Sequence, residues 1–126
     1  MTKFYTVNIE HFTEERGCLI PFEFGQNCPF EIKRVFVIKD VPDNKITRGN
    51  HINTKSKCFI IPLQGSVTID CEEKQKKETF ILNKNTKALF IDKNVYRKLY
   101  NFSKNTILLC LSDNKYNSTE FVDKIN

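Results

Sequence analysis

The sequence predicts an all-β domain, a sandwich or barrel built from residues 1–126 as a single unit. Three observations carry that expectation. Short apolar runs rich in β-branched and aromatic residues recur along the chain, and Asn, Asp, Gly and Lys clusters separate them at regular spacing. No stretch of a dozen residues holds a convincing 3.6-residue apolar period. A chain of 126 residues fits one ordinary domain, and its eleven Phe supply apolar bulk that a disordered chain would lack.

The elements follow in order. Residues 17–22 (GCLIPF) read as a strand, and residues 33–39 (KRVFVIK) as another that stops at the turn cluster of residues 40–44. Residues 57–63 (KCFIIPL) form a third, which Gln64-Gly65 turns into residues 66–70, where Val67 and Ile69 alternate onto one side. The mixed-sign stretch of residues 72–78 reads as a solvated hairpin tip. Strands at residues 78–82, 88–91 and 106–111 follow, separated by Asn/Lys turns. Residues 94–101 read as a polar loop or an edge strand. On a strand, Tyr96 and Lys98 share one face and Val95, Arg97 and Leu99 the other, so Arg97 points inward and needs an anion there. The tail, residues 118–125, reads as one short helix capped by Ser118.

Charge and cysteine usage narrow the function. The net charge of +5 favours an anionic partner. No Arg-rich arm, zinc-finger spacing or aromatic-basic platform is present, which argues against nucleic acid. No apolar run approaches the roughly 20 residues that cross a bilayer, and no signal-peptide core follows Met1, so no membrane partner and no secretion are expected. Cys18, Cys28, Cys58, Cys71 and Cys110 are odd in number and make no CxxC pair. They suggest reduced thiols in a cytoplasm rather than a disulfide framework or zinc site. Cys58 and Cys110 lie in apolar runs and read as core. Cys18, beside Arg16 and Gly17, is the one candidate reactive thiol.

The chemistry centres on residues 47–55. Arg48 offers a permanent charge with a planar fork of donors suited to phosphate or carboxylate. His51 and Asn53 are two apart and share a strand face. A histidine beside an arginine in a barrel mouth can act as a general base on a carbon acid next to a ketone, although a hydrogen-bonded surface histidine has the same appearance. His11 reads as structural.

Together these pieces resemble a cupin, specifically the nucleotide-sugar branch that contains the dTDP-4-keto-6-deoxyglucose 3,4-ketoisomerases. The resemblance rests on residues 16–19 (RGCL), 29–35 (PFEIKRV), 48–51 (RGNH), 63–66 (LQGS), 100–103 (YNFS) and 109–113 (LCLSD), in that order and spacing. It implies a jelly-roll β-barrel, usually dimeric, that holds the sugar in the barrel and the nucleotide at its mouth. The implied partner is a dTDP-linked keto sugar, and the implied setting is deoxyamino-sugar biosynthesis for lipopolysaccharide, upstream of an aminotransferase. The branch typically reads RGxHAHK, whereas here Asn53 stands at the second histidine and Thr54 at the lysine. It carries Trp-His where this chain has Tyr96-Arg97, and tyrosine where this chain has Phe36 and Val37. On this reading His51 is the principal acid/base and Tyr96 a proton relay, while Arg48, Asn53, Arg97 and Lys57 bind substrate. Metal-binding cupins use HxH, a glutamate four residues on and a later histidine; the matching positions here read His51, Asn53, Lys57 and Arg97. No metal and no other cofactor is therefore expected. The alternatives are a sugar-nucleotide 3,5-epimerase and a non-catalytic cupin that binds a nucleotide sugar.

Overall fold

Two five-stranded antiparallel sheets face each other in a computed structural model that describes residues 2–124. The strands are β1 (Phe4–Asn8), β2 (Phe12–Glu14), β3 (Gly17–Leu19), β4 (Arg34–Lys39), β5 (Arg48–Asn53), β6 (Cys58–Gln64), β7 (Val67–Glu73), β8 (Lys76–Leu82), β9 (Lys87–Ile91), β10 (Tyr96–Tyr100), β11 (Ile107–Ser112) and β12 (Phe121–Val122). One sheet runs β1-β9-β6-β11-β4 and the other β12-β5-β10-β7-β8, while β2 and β3 form a separate hairpin. Every named pairing is antiparallel, and the order interleaves strands distant in sequence, as in a jelly roll. Among the described residues no helix is long and apolar enough to cross a membrane.

The predicted alternation builds the core. Val67, Ile69 and Cys71 of β7 point between the sheets with Leu99 of β10 and Cys58 and Ile60 of β6. Strand β6 is apolar on both faces because both are covered. Phe59 and Ile61 face the other way and pack with Ile9, Phe30 and Phe90 beneath the N-terminal segment. Pro62 is tolerated in this central strand because the β9 ladder ends at Ile60, so the missing N–H leaves no acceptor stranded there.

Four sequence expectations need correction. The strand expected over residues 17–22 ends at Leu19. Pro21 cannot donate to a ladder, and Ile20 and Phe22 instead pack against the second core cluster. Residues 94–101 are no edge: β10 lies between β5 and β7, hydrogen-bonded on both sides. The tail is not a helix. Asn117, one residue before Ser118, caps a single 3₁₀ turn (Ser118–Glu120), after which β12 pairs with the open edge of β5. The described tail has no apolar face to bury as a helix, whereas the β5 edge supplies backbone partners. The remainder of that expected helix, at Ile125, lies outside the described residues. The charged hairpin tip is also narrower than expected: Glu72 and Glu73 end β7, Lys76 begins β8, and the chain reverses at Lys74 with φ of 56°.

Strand β5 carries an irregularity that decides the site. Arg97 pairs with His51, but Lys98 pairs with Gly49, so Asn50 is an extra residue in β5. Gly49 and Asn50 both take positive φ, 80° and 57°. In a regular strand, residues 48 and 51 would point to opposite faces. The bulge reverses the alternation, and Arg48 and His51 both turn inward. A Cβ on Gly49 would sit 3.0 Å from the Arg97 carbonyl oxygen and 3.3 Å from the Leu99 side chain. Gly49→Ala is therefore expected to destabilise the protein by about 1–3 kcal/mol, since it adds strain at positive φ to the close approach of two strands. Urea denaturation checks this; an unchanged midpoint would show that the β5–β10 contact yields freely.

Candidate active site

The open end of the sandwich holds a cavity of about 210 Å³. Strand β5 contributes Arg48, His51 and Asn53, and β10 contributes Arg97. The facing sheet adds Arg34, Cys58 and Cys110, and Phe121 closes one side. Three guanidinium groups and an imidazole thus converge, and no acidic side chain lines the cavity among the described residues. The volume suits a single sugar ring, with any larger group left at the mouth.

His51 is half-buried. Its Nδ1 lies 2.7 Å from the Gly49 carbonyl oxygen. A carbonyl only accepts, so Nδ1 carries the proton and Nε2 keeps a free lone pair. Burial pushes the His51 pKa below its ordinary 6.5, and the Arg97 cation adds to this; the Gly49 carbonyl, Asn53 and Glu120 oppose it. Neutral His51 is the form that can remove a proton. The acid limb of kcat/KM in the free enzyme is accordingly expected to have its midpoint below pH 6.5, with activity lost as pH falls through it. A limb centred above 6.5 would show that His51 is not the group being titrated.

Arg97 is 4% exposed, and its Nε donates to the Val95 carbonyl at 3.3 Å. Burial pushes its pKa down, but a guanidinium remains charged at any physiological pH. Two buried side-chain atoms among the described residues have no hydrogen-bond partner, Arg97 Nη2 and Asn53 Oδ1. Both residues line this cavity. One is a charged donor and the other an acceptor, each costing about 1–3 kcal/mol while unpaired. A ligand that presents an oxyanion and a hydroxyl would satisfy both. Cys110 stays a thiol: its hydrogen bond to Cys58 and its burial hold its pKa well above the ordinary value.

The structure brings together Arg48, His51, Asn53 and Arg97, and leaves out two other expected site residues. Lys57 does not line the cavity. Its neighbours Ser56 and Cys58 do, and alternation turns Lys57 away, with its backbone N–H donating to Asp113 Oδ1 at 2.8 Å. Tyr96 occupies the outer face of β10. There its hydroxyl donates to Asn50 Oδ1 at 3.3 Å and Lys124 Nζ lies 5.0 Å from its ring centroid. Neither side chain is part of the cavity lining. The positions that match a metal-cupin ligand set read His51, Asn53, Lys57 and Arg97, and of these Lys57 does not line the cavity. An arginine and an amide among these four fit an anion better than a divalent ion. Cys18 lies on the exposed β2–β3 hairpin, 3.4 Å from His11 Nδ1 and outside the cavity. His11 in turn contacts the Asn85 carbonyl at 2.9 Å and ties the hairpin to the β8–β9 turn. Arg34 and Phe121 were not anticipated as site residues. Arg34 was legible from its alternation with Phe36 and Ile38 on the inward face of β4, whereas nothing local to residue 121 announces its position.

The fold and cavity define a cupin-type jelly roll with a histidine–arginine site. The family model described as FdtA: WxcM-like, C-terminal, matches residues 2–126, and the chain belongs to this family. A curated relative from Aneurinibacillus thermoaerophilus, TDP-4-oxo-6-deoxy-alpha-D-glucose-3,4-oxoisomerase, is 25% identical over 116 residues, covering 92% of this chain and 83% of its own. Among solved structures, WlaRA from Campylobacter jejuni, a TDP-fucose-3,4-ketoisomerase, is 36% identical with a TM-score of 0.92 over 98% of this chain and 90% of its own. QdtA from Thermoanaerobacterium thermosaccharolyticum, a sugar 3,4-ketoisomerase in complex with TDP, is 30% identical with a TM-score of 0.90 over 97% and 88%.

Proposed function

We infer that this chain is a 3,4-ketoisomerase that moves the keto group of a dTDP-linked 4-keto-6-deoxy sugar from C4 to C3. The observation that carries the reading is the pair of unsatisfied polar atoms, Arg97 Nη2 and Asn53 Oδ1, in the cavity that holds the free Nε2 side of His51. A hydroxy-ketone needs this set: a base for the C–H between hydroxyl and carbonyl, a cation for the oxygen that becomes anionic, and an acceptor for a hydroxyl. His51 Nε2 takes the C3 proton and an enediolate forms, with Arg97 placed to stabilise its negative oxygen in a water-poor site. Asn53 holds a ring hydroxyl but cannot carry a proton, so His51 also returns a proton at C4. The hydroxyl proton on O3 passes to O4, so the C4 carbonyl becomes a hydroxyl, the C3 hydroxyl becomes a carbonyl, and no atom is gained or lost. Arg34 and Arg48 line the same cavity and suit the diphosphate.

Incubation with dTDP-4-keto-6-deoxyglucose in deuterated buffer, followed by NMR, tests this. A 3-keto sugar is expected, with deuterium at C4 to the extent that His51 exchanges its proton with solvent before returning it. Exchange at C3 and C5 without a 3-keto product would make the protein an epimerase, and binding without exchange would make it a receptor. A homodimer in a reducing compartment belongs to the same reading. It is supported by Val35 and Val37, which leave an apolar outer face on edge strand β4, and by five free thiols. Light scattering reads the mass, and a monomer would remove the dimer. The 3-keto product would suit an aminotransferase as its consumer, on a route to deoxyamino sugars of lipopolysaccharide.

A further inference from the structure

The C-terminal segment crosses the cavity wall through a chain of directed hydrogen bonds. Glu120 is a carboxylate only 2% exposed, and it sits just behind the cavity rather than in it. Its Oε1 accepts from Ser56 Oγ at 2.6 Å and from the Lys55 backbone N–H at 3.3 Å. Its own carbonyl accepts from the Thr54 N–H at 3.1 Å and the Thr54 hydroxyl at 2.9 Å. Ser56 Oγ has a single proton, and the carboxylate takes it. Toward Asn53, at 3.4 Å, that oxygen can therefore only accept. The Asn53 amide nitrogen must face Ser56, and its oxygen is left open to the cavity. The same segment seats the next residue. Phe121 pairs with Asn53 across β12 and β5, and its ring lies 4.8 Å from the His51 ring. Tyr116, 5.8 Å from Phe121, lies beneath the Arg34 guanidinium at 5.0 Å and so links the segment to the opposite sheet.

We infer that Glu120 is a positioning residue for the isomerase reaction: by taking the Ser56 proton it turns the open oxygen of Asn53 toward the sugar, and by anchoring its own backbone it holds Phe121 against His51. This rests on the ketoisomerase reading of the cavity and extends it to a side chain that never touches substrate. Glu120 is also an acid whose charge acts on His51. The charged or titratable groups that face His51 are Arg97 on β10, Arg48 on its own strand, Arg34 on β4, Cys58 on β6, Cys110 on β11, and Glu120. Glu120 is the acid of this set, and it opposes Arg97 in raising the basicity of His51.

Two variants separate charge from relay. Glu120→Gln keeps the shape, removes the charge and can donate to Ser56, which would let the Asn53 amide reverse. Ser56→Ala keeps the charge and breaks the relay. The chain has only His11 and His51, so proton NMR of the imidazole C2–H resolves both, with His11 as internal control. In Glu120→Gln the His51 titration is expected to move down from its wild-type position. In Ser56→Ala the His51 titration is expected to hold, while kcat/KM for dTDP-4-keto-6-deoxyglucose falls about tenfold through a misturned Asn53. Glu120→Asp, which restores the charge, should return His51 to its wild-type titration. An unmoved His51 in Glu120→Gln, or kcat/KM within twofold of wild type in Ser56→Ala, overturns the inference. If Glu120→Gln does not fold, Ser56→Ala decides alone, because its lost group is a hydroxyl at the segment's edge. The NMR titration needs no turnover, so it stands apart from failure of the ketoisomerase reading, which would show as absent 3-keto product with wild-type protein.

Discussion

Replacing His51 with alanine is expected to abolish both 3-keto product and proton exchange at C3, while dTDP binding changes little. The reason lies in the geometry around one ring. Nδ1 is occupied by the Gly49 carbonyl at 2.7 Å, so Nε2 is the basic atom, and burial keeps the ring neutral near pH 7. Of the other cavity side chains only Cys58, whose thiol the hydrogen bond to Cys110 pushes below its ordinary pKa, offers a second titratable group, and it is 6% exposed. Asn53 is an amide, Arg97 stays protonated, and Cys110 is held as a thiol. General acid–base catalysis is worth typically about 10²- to 10⁴-fold for each group. His51 serves two proton transfers here, so the loss should lie at or beyond the upper end. On the proposed reading the nucleotide is held by Arg34 and Arg48 instead, and its affinity should hold within a few-fold. Isotope incorporation and calorimetry with dTDP read the two halves separately. Residual C3 exchange above about one per cent in His51→Ala would move the base elsewhere in the cavity.

How far the sequence could lead to this site depends on what each residue's position is coupled to. Alternation within a strand is local, so Val67 and Ile69 were legible as core, and Arg97 as inward-facing between Val95 and Leu99. The same rule fails at a bulge. Nothing in Arg48-Gly49-Asn50-His51 states that Asn50 is an extra residue, yet that insertion is what lets Arg48 share a face with His51. The misplacement of Lys57 has a related origin, a register error of one residue that moves a side chain from cavity to exterior. Cys58, read only as core, proves to be both buried and cavity-lining. Tyr96 followed its alternation faithfully, and it was the assigned role that ignored the face. Phe121 and Glu120 were least legible because their places come from pairing with β5, about 70 positions earlier in the chain. A short polar tail carries no internal pattern that encodes such a partner.

Arg97→Met is expected to make the ligand-free protein more stable and far less active. A guanidinium 4% exposed, with Nη2 unpaired and no ion pair to any carboxylate among the described residues, opposes folding in the empty protein. Replacing such a group with an unbranched apolar side chain of similar reach should stabilise by about 1–3 kcal/mol, raising Tm by several degrees in a domain of this size. A hydrogen-bonded arginine at the same depth would behave in the opposite way, since its removal would strand its partners. Here it would strand only the Val95 carbonyl at 3.3 Å. Catalysis should move the other way. Loss of one preorganised donor to a developing oxyanion costs roughly 10²- to 10³-fold in kcat, and the neighbouring His51, relieved of an adjacent cation, should titrate higher. Thermal melts of the empty protein, kcat, and the His51 imidazole titration together form the test. A variant that melts lower while keeping its activity would make Arg97 a structural residue. A variant that melts higher and stops turning over would show that the buried charge is retained for the enediolate at the expense of the fold.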